Sequence, residues 1–277
     1  MLSKEDRTRR VQMWADIEMR VRDFFGARGF IEVRTPILVA SPGMEPNLTP
    51  FETTLHAVNP QREQRLGLIT SPEYSMKKLI GSGIERAFTI TPVFRNQEAL
   101  GGNHLPEFIM LEWYAPGGYE DLMNETEQLF QYVLEDSAYW PRIPYGEAGM
   151  DAFGEPHTQS DQFFLTEFPR EQASLSRISE HGFAERFEAF AGGLELCNGF
   201  CELTDAAEQA TRFAQDAKER EDAGKTVFPV DQGLLSALGA IPHSIYGNAV
   251  GLDRLLMLKY RIGDINDIQV FPIEERY

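Results

Sequence analysis

The chain has 277 residues, 42% apolar and 25% charged, the balance of a globular protein long enough to bury a core without disulfide or metal staples. A charged start, Met1 to Arg7, predicts no signal peptide, and no apolar run reaches the roughly 18–20 residues of a membrane span. A net charge of −17 opposes nucleic-acid binding, which draws on Lys and Arg neutralising phosphates.

Val11, Trp14, Ile17, Val21, Phe24 and Phe25 recur at helical spacing and predict an amphipathic helix closed by Gly26 and Gly29. Lys4, Arg7, Arg9 and Arg10 at its start form either a basic patch or a solvated face. An extended segment over 30–33 follows, punctuated by Pro36. Ser71-Pro72 predicts a helix start, with Met76, Leu79 and Ile80 on its apolar side and Gly81 and Gly83 at its end. Residues 87–94 and 107–114 read as strands joined by a loop containing Gly101 and Gly102. Leu122, Thr126, Leu129, Phe130 and Val133 mark a helix. The Pro-, Gly- and acid-rich stretch 141–162 lacks periodicity and reads as a surface excursion. Strands near 183–190 and 194–203, then helices near 205–222, 231–238 and 251–260, complete the chain. Strands cluster as hairpins, which predicts an α+β fold with an antiparallel sheet flanked by helices, in one domain over 1–277.

Several constellations carry chemistry. A two-residue loop at Ala191-Gly192 sets Glu188 opposite Glu195, an arrangement that like charges disfavour. Two explanations stand: a divalent cation between the carboxylates, Mg2+ by the hardness of the ligands, or a slipped loop with both glutamates facing water. Period two over 108–114 places Phe108, Met110, Glu112 and Tyr114 on one strand face and Ile109, Leu111 and Trp113 on the other. The second face is apolar enough to be core, so the first is either a solvated face or the wall of a cleft. Asn198 and Glu202 share a face, and Glu195 joins them only through a bulge. Arg95, ending a strand, and Arg254, in the first turn of a helix after Gly247 and Gly251, are either surface ion-pair partners or phosphate clamps. Together with a carboxylate pair they suggest a polyphosphate–Mg2+ site, although no G-x-x-x-x-G-K-S/T loop is present. Ser71 and Glu73 are also explained by a helix cap and its dipole. His104 has no role that spacing defines. Cys197 and Cys201 are too few for a disulfide framework and lack zinc spacing, so free thiols and a cytoplasmic location are expected.

Three further stretches bring a family into view. Arg28-Gly29-Phe30-Ile31-Glu32-Val33-Arg34-Thr35-Pro36-Ile37-Leu38 resembles motif 1 of the class II aminoacyl-tRNA synthetases. Phe94-Arg95-Asn96-Gln97-Glu98 with His104-Leu105-Pro106-Glu107-Phe108 resembles motif 2, and Gly247-Asn248-Ala249-Val250-Gly251-Leu252-Asp253-Arg254 resembles motif 3. Thr70 to Tyr74, Met110 to Tyr114 and Gly193 to Leu203 are similar to the lysyl branch. Phe168 to Leu175 resembles the lysyl-synthetase paralogues that modify elongation factor P, and Ala249 stands where lysyl-tRNA synthetases carry glycine.

The resemblance implies ATP as co-substrate, Mg2+ on Glu188 and Glu195, and catalytic arginines Arg95 and Arg254 on the phosphates. It implies an ATP site of Arg95, Gln97, His104, Phe108 and Arg254, with Phe108 stacking on adenine. It implies an amino-acid site of Ser71, Glu73, Glu112, Tyr114, Asn198, Glu202 and Ala249 for lysine or β-lysine. Elongation factor P is the implied acceptor and a motif 1 homodimer the implied assembly. Motif 1 begins at Arg28, which leaves room for no anticodon-binding domain and argues against tRNA as acceptor. Gln97 departs from the family glutamate, the motif 2 loop Gly101-Gly102-Asn103 lacks the ligases' basic residue, and 141–167 is shorter than theirs. The alternatives are a lysyl-adenylate-forming enzyme with a tRNA or small-molecule acceptor, and a non-catalytic regulator.

Overall fold

The computed structural model describes residues 2–58, 61–150 and 156–276. Helix α1 (Lys4–Gly26) begins at Ser3, whose hydroxyl accepts from the Asp6 amide. Strands β1 (Ile31–Glu32) and β2 (Leu38–Val39) precede a hairpin of β3 (Glu52–Val58) and β4 (Gln61–Leu68). Helix α2 (Glu73–Gly81) follows, its first amide held by the Ser71 hydroxyl. Then come β5 (Ala87–Phe94), β6 (Glu107–Pro116), α3 (Tyr119–Leu134), β7 (Arg142–Pro144), β8 (Gly149–Met150), β9 (Pro156–His157) and β10 (Gln162–Thr166). Last are β11 (Arg186–Ala191), β12 (Leu194–Cys201), α4 (Ala206–Asp222), α5 (Gln232–Leu238), β13 (Ile245–Gly251), α6 (Leu252–Tyr260) and α7 (Ile273–Arg276).

Eight strands form one sheet in the order β1-β5-β6-β13-β12-β11-β10-β7. Its pairs are antiparallel except β1 with β5 and β7 with β10. The fold is therefore α+β with a largely antiparallel sheet, as expected. Alternation decides what each face does. Leu111 and Trp113 of β6 join Phe88, Val250 and the apolar sides of α1, α3 and α6 in the main core. Residues 108, 110, 112 and 114 point the other way, under α2, α4 and the strap 45–48. A second core of Tyr74, Met76, Ile80, Phe213, Leu234 and Leu238 seals α2, α4 and α5 over that face.

Four expectations need correction. Val11 is 50% exposed and Met13 packs in the core instead, because the buried stripe of α1 runs through 13, 17, 21, 24 and 25. The basic start is not an open patch throughout: Arg7 donates to Glu275, and Arg10 to the carbonyls of Asn266 and Gln269. Part of 141–162 belongs to the sheet, since Arg142–Pro144 pairs with β10 at its edge; residues 151–155 lie outside the described residues. The hairpin turns at Gly192-Gly193, with φ of 58° and 75°, rather than at Ala191-Gly192. Two successive positive φ values suit two glycines, so the loop sits one residue later. Glu188 then faces Asn198, and Glu195 faces Phe190.

Candidate active site

The cleft on the sheet face that carries Phe108, Met110, Glu112 and Tyr114 encloses about 960 Å³. Its floor is charged and buried. Glu112 and Tyr114 rise from β6, Glu73 and Lys77 from α2, and Glu202 from the end of β12, all 8% exposed or less. Ser71 Oγ donates to Glu112 Oε2 at 2.6 Å, and Tyr114 Oη donates to Glu112 Oε1 at 2.8 Å. Lys77 Nζ lies 2.5 Å from both Glu73 Oε1 and Glu202 Oε2. Glu202 Oε1 has no hydrogen-bond partner among the described residues. Burial pushes the carboxyls of Glu112 and Glu202 up to about 8. Burial alone would lower Lys77, but Glu202 and Glu73 outweigh it and raise the ammonium above its ordinary value.

Gly247 of β13 makes this floor possible. A Cβ there would lie 2.5 Å from Glu202 Oε1 and closer still to the Tyr114 ring. Next to it in the sheet, Ala249 sits between Asn198 on β12 and Glu112 on β6.

The opposite end of the cleft is cationic. Arg95, just beyond β5, carries its guanidinium 5.2 Å from the Phe108 ring centre, and its Nε is buried without a hydrogen-bond partner among the described residues. Burial lowers its pKa, with Glu195 the largest opposing charge. Arg254 donates from Nη1 to the Glu195 carbonyl at 2.8 Å and lies 3.1 Å from His104 Nε2 through Nη2. Its Nη1 is also 3.7 Å from Glu195 Oε2. Its neighbour Asp253 fixes the start of α6 against β6, accepting from the Ile109 amide at 2.7 Å and from Gln269 at 2.8 Å.

Between the two ends stand the acidic pair and their neighbours. A β-bulge at Leu196 sends both Leu196 and Cys197 to the core. The parity of β12 therefore reverses, and Glu195, Asn198 and Glu202 all reach the cleft. This is the bulge their spacing requires. Glu188 lines the same cleft from β11, with Arg186 Nη2 2.5 Å from its Oε1, while Arg186 Nε donates to Asn198 Oδ1 at 3.0 Å. No group of three or more His, Cys, Asp or Glu residues suited to a metal occurs among the described residues. Two carboxylates on one sheet face, beside two arginines, suit Mg2+ that takes its remaining ligands from phosphates and water; a closed protein cage is not needed.

Of the residues picked out from sequence, Ser71, Glu73, Arg95, His104, Phe108, Glu112, Tyr114, Glu188, Glu195, Asn198, Glu202, Ala249 and Arg254 all line this cleft. Gln97 does not. It is exposed, with φ of 63°, and its Oε1 accepts from Thr49 Oγ1 at 3.2 Å. The backbone turn after Arg95 carries it out of the lining. Sequence reading missed Lys77, Arg186, Asp253 and Glu45. The i,i+4 spacing of Glu73 and Lys77 was a usable signal for the first. Arg186, two residues before Glu188 on one strand face, was a signal for the second.

The description "tRNA synthetases class II (D, K and N)" matches residues 1–275. The chain belongs to that family. Relatives span nearly the whole chain: it is 38% identical to the elongation factor P–(R)-β-lysine ligase of Avibacterium paragallinarum, over 94% of each chain. It is 36% identical to the ligases of the same name from Salmonella gallinarum and Salmonella paratyphi B, again over 94% of each. Membership of this class II family makes ATP the expected co-substrate of the cleft. No helix among the described residues is long and apolar enough to cross a membrane.

Proposed function

We propose that this protein uses ATP to activate lysine or (R)-β-lysine as an acyl-adenylate and transfers it to a lysine side chain of elongation factor P. One observation carries the substrate class. The floor holds three buried carboxylates, Glu73, Glu112 and Glu202, against one ammonium, Lys77. Its excess of acid suits a substrate with two ammonium groups. Glu202, with Oε1 unpartnered, receives the side-chain ammonium beside Tyr114, and Glu73 receives the other. Ser71 and Tyr114 hold Glu112 in place, and Asn198 and Ala249 shape the middle of the pocket.

The substrate carboxylate then lies toward Arg95, which holds it against the α-phosphate of ATP. Phe108 offers the adenine a ring face, and Arg254 and His104 bind the outer phosphates. Carboxylate oxygen attacks the α-phosphorus, the bond to the β-phosphate breaks, and pyrophosphate leaves. The acceptor amine next attacks the acyl carbon, releases AMP and loses a proton. Orientation and fixed positive charge lower both barriers, with no protein nucleophile. Glu188 and Glu195 would hold Mg2+, which neutralises charge on the phosphates when bound.

The chain acts as one catalytic unit in the cytoplasm and pairs as a homodimer. Ile31 and Leu38, 58% and 43% exposed, support an interface through motif 1. Its net charge of −17 favours a protein acceptor over tRNA.

The test is the intact mass of elongation factor P after incubation with this protein, ATP, Mg2+ and α- or β-lysine. An increment of one lysine, larger with its preferred isomer and lost with Glu195→Ala, is expected. Normal lysine-dependent ATP–pyrophosphate exchange without an increment would assign a different acceptor. Absence of both would refute the activation reading.

A further inference from the structure

Residues 45–48 belong to no helix or strand, yet they form one wall of the cleft. They are held from α4. Arg220, 1% exposed, donates from Nη1 to the carbonyls of Glu45 at 2.8 Å and Leu48 at 2.9 Å. Its Nε donates to the Thr226 carbonyl at 2.8 Å, and Lys225 Nζ donates to the Pro46 carbonyl at 2.6 Å. Charged donors on neutral carbonyls make strong hydrogen bonds, so the strap has a set position.

That position brings Glu45 into the cleft. Its Oε2 is shut off from solvent and has no hydrogen-bond partner among the described residues. Gly43 leaves it room, since a Cβ there would sit 2.7 Å from that oxygen. The charges that act on Glu45 include Glu73 and Arg95 within the cleft, and Asp216 of α4. Arg95 Nε is likewise buried with no hydrogen-bond partner among the described residues. A buried acceptor and a buried donor that do not meet each other are complementary to a ligand carrying both charges. The ammonium and carboxylate of an amino acid are such a pair.

We propose that Glu45 is a specificity-determining residue, which joins Glu73 in receiving the ammonium group nearest the substrate carboxylate. The inference rests on the lysine-activating function above and adds to it. Glu73 alone is a poor receiver, because Lys77 already occupies its Oε1; Glu45 supplies the second acceptor. Burial, with Glu73 adding to it, pushes the Glu45 carboxyl up to about 7, and a cation brought beside it favours the ionised form.

The experiment compares Glu45→Gln with the unaltered protein in amino-acid-dependent ATP–pyrophosphate exchange, using its preferred lysine isomer. The competitor is 6-aminohexanoate, which keeps the carboxylate and the distal amine but lacks the amine next to the carboxylate. Glu45→Gln is expected to raise KM for the lysine about 10- to 100-fold, the worth of a hydrogen bond to a charged group. The inhibition constant of 6-aminohexanoate and KM for ATP are expected to stay within about twofold, and the thermal midpoint to be kept. A rise shared equally by lysine and 6-aminohexanoate, or no rise in either, overturns the proposal. If the unaltered protein shows no exchange with either isomer, the lysine-activating function itself fails and this inference falls with it.

Discussion

Lys77→Met removes an ammonium that sits 2.5 Å from two buried carboxylates, Glu73 and Glu202, and keeps an apolar chain of similar length in its place. Removing one partner of a buried ion pair costs about 3–5 kcal/mol, because the other charge stays behind without compensation. Burial already pushes Glu202 up to about 8, so without Lys77 it takes up a proton at neutral pH. That relief places the expected loss near the lower end, at about 3 kcal/mol. For a chain of this size class the thermal midpoint should drop by very roughly 6–12 °C, at about 2–4 °C per kcal/mol. Urea unfolding of Lys77→Met, Glu202→Gln and the double variant completes the cycle. The double variant should regain more than about 1 kcal/mol over the sum of the singles, since the buried carboxyl that Lys77 no longer compensates is gone. A loss below about 1 kcal/mol for Lys77→Met, or additivity in the cycle, would refute the view that Lys77 neutralises the floor.

The remaining expectations concern pH, packing and metal. Glu45, Glu112 and Glu202 have carboxyls raised to about 7, 8 and 8, so between about pH 4.5 and 8 the folded protein binds more protons than the unfolded chain and loses stability as pH rises. The thermal midpoint of the ligand-free protein should fall across that window, with a shallower slope in Glu112→Gln; a midpoint that climbs instead would contradict it. Lysine affinity, read by calorimetry, should rise over the same window as these groups ionise, and a flat profile would count against their facing the ligand. Gly247→Ala places a Cβ against Tyr114 and Glu202 Oε1; overpacking of about 1–3 kcal/mol should abolish lysine-dependent exchange. Unchanged KM for lysine in Gly247→Ala would put the substrate elsewhere. Glu195→Gln should lower exchange at least about 100-fold, as loss of a group that organises transition-state charge does. Part of that activity should return on raising Mg2+, and a deficit indifferent to Mg2+ would remove the glutamate from the metal's surroundings.

The chain's periodic features were readable directly. Phe108, Met110, Glu112 and Tyr114 share a strand face because alternation is a property of extended backbone, and all four line the cleft. The start of α2, where Ser71 holds the Glu73 amide although the cap position itself falls on Pro72, and the helices near 205–222, 231–238 and 251–260 were legible for the same reason: helix-start residues and apolar stripes are local. The hairpin was placed at nearly the right point but one residue early, since either glycine-bearing dipeptide could turn the chain and only the pairing with β10 and β13 selects the register. Strands β3, β4 and β13 were overlooked: β3 is almost wholly exposed and has no apolar face, and β13, though largely buried, is interrupted by Gly247 and Asn248. Gln97 was assigned to the site by its neighbours in sequence, but its positive φ turns it away.

What the sequence determined by itself was the family, the sheet-and-helix class and most residues of the cleft, because motif order and alternation act over a few residues at a time. The tertiary structure alone decided how their charges are balanced. Lys77 and Lys78 are adjacent in sequence, yet one is buried between Glu73 and Glu202 while the other meets Asp231 at the start of α5. Whether a lysine ionises a pocket or a surface depends on how far it is desolvated, and by which carboxylates it is met. Here that depends on α2, β6 and β12 converging, and no local pattern encodes the convergence.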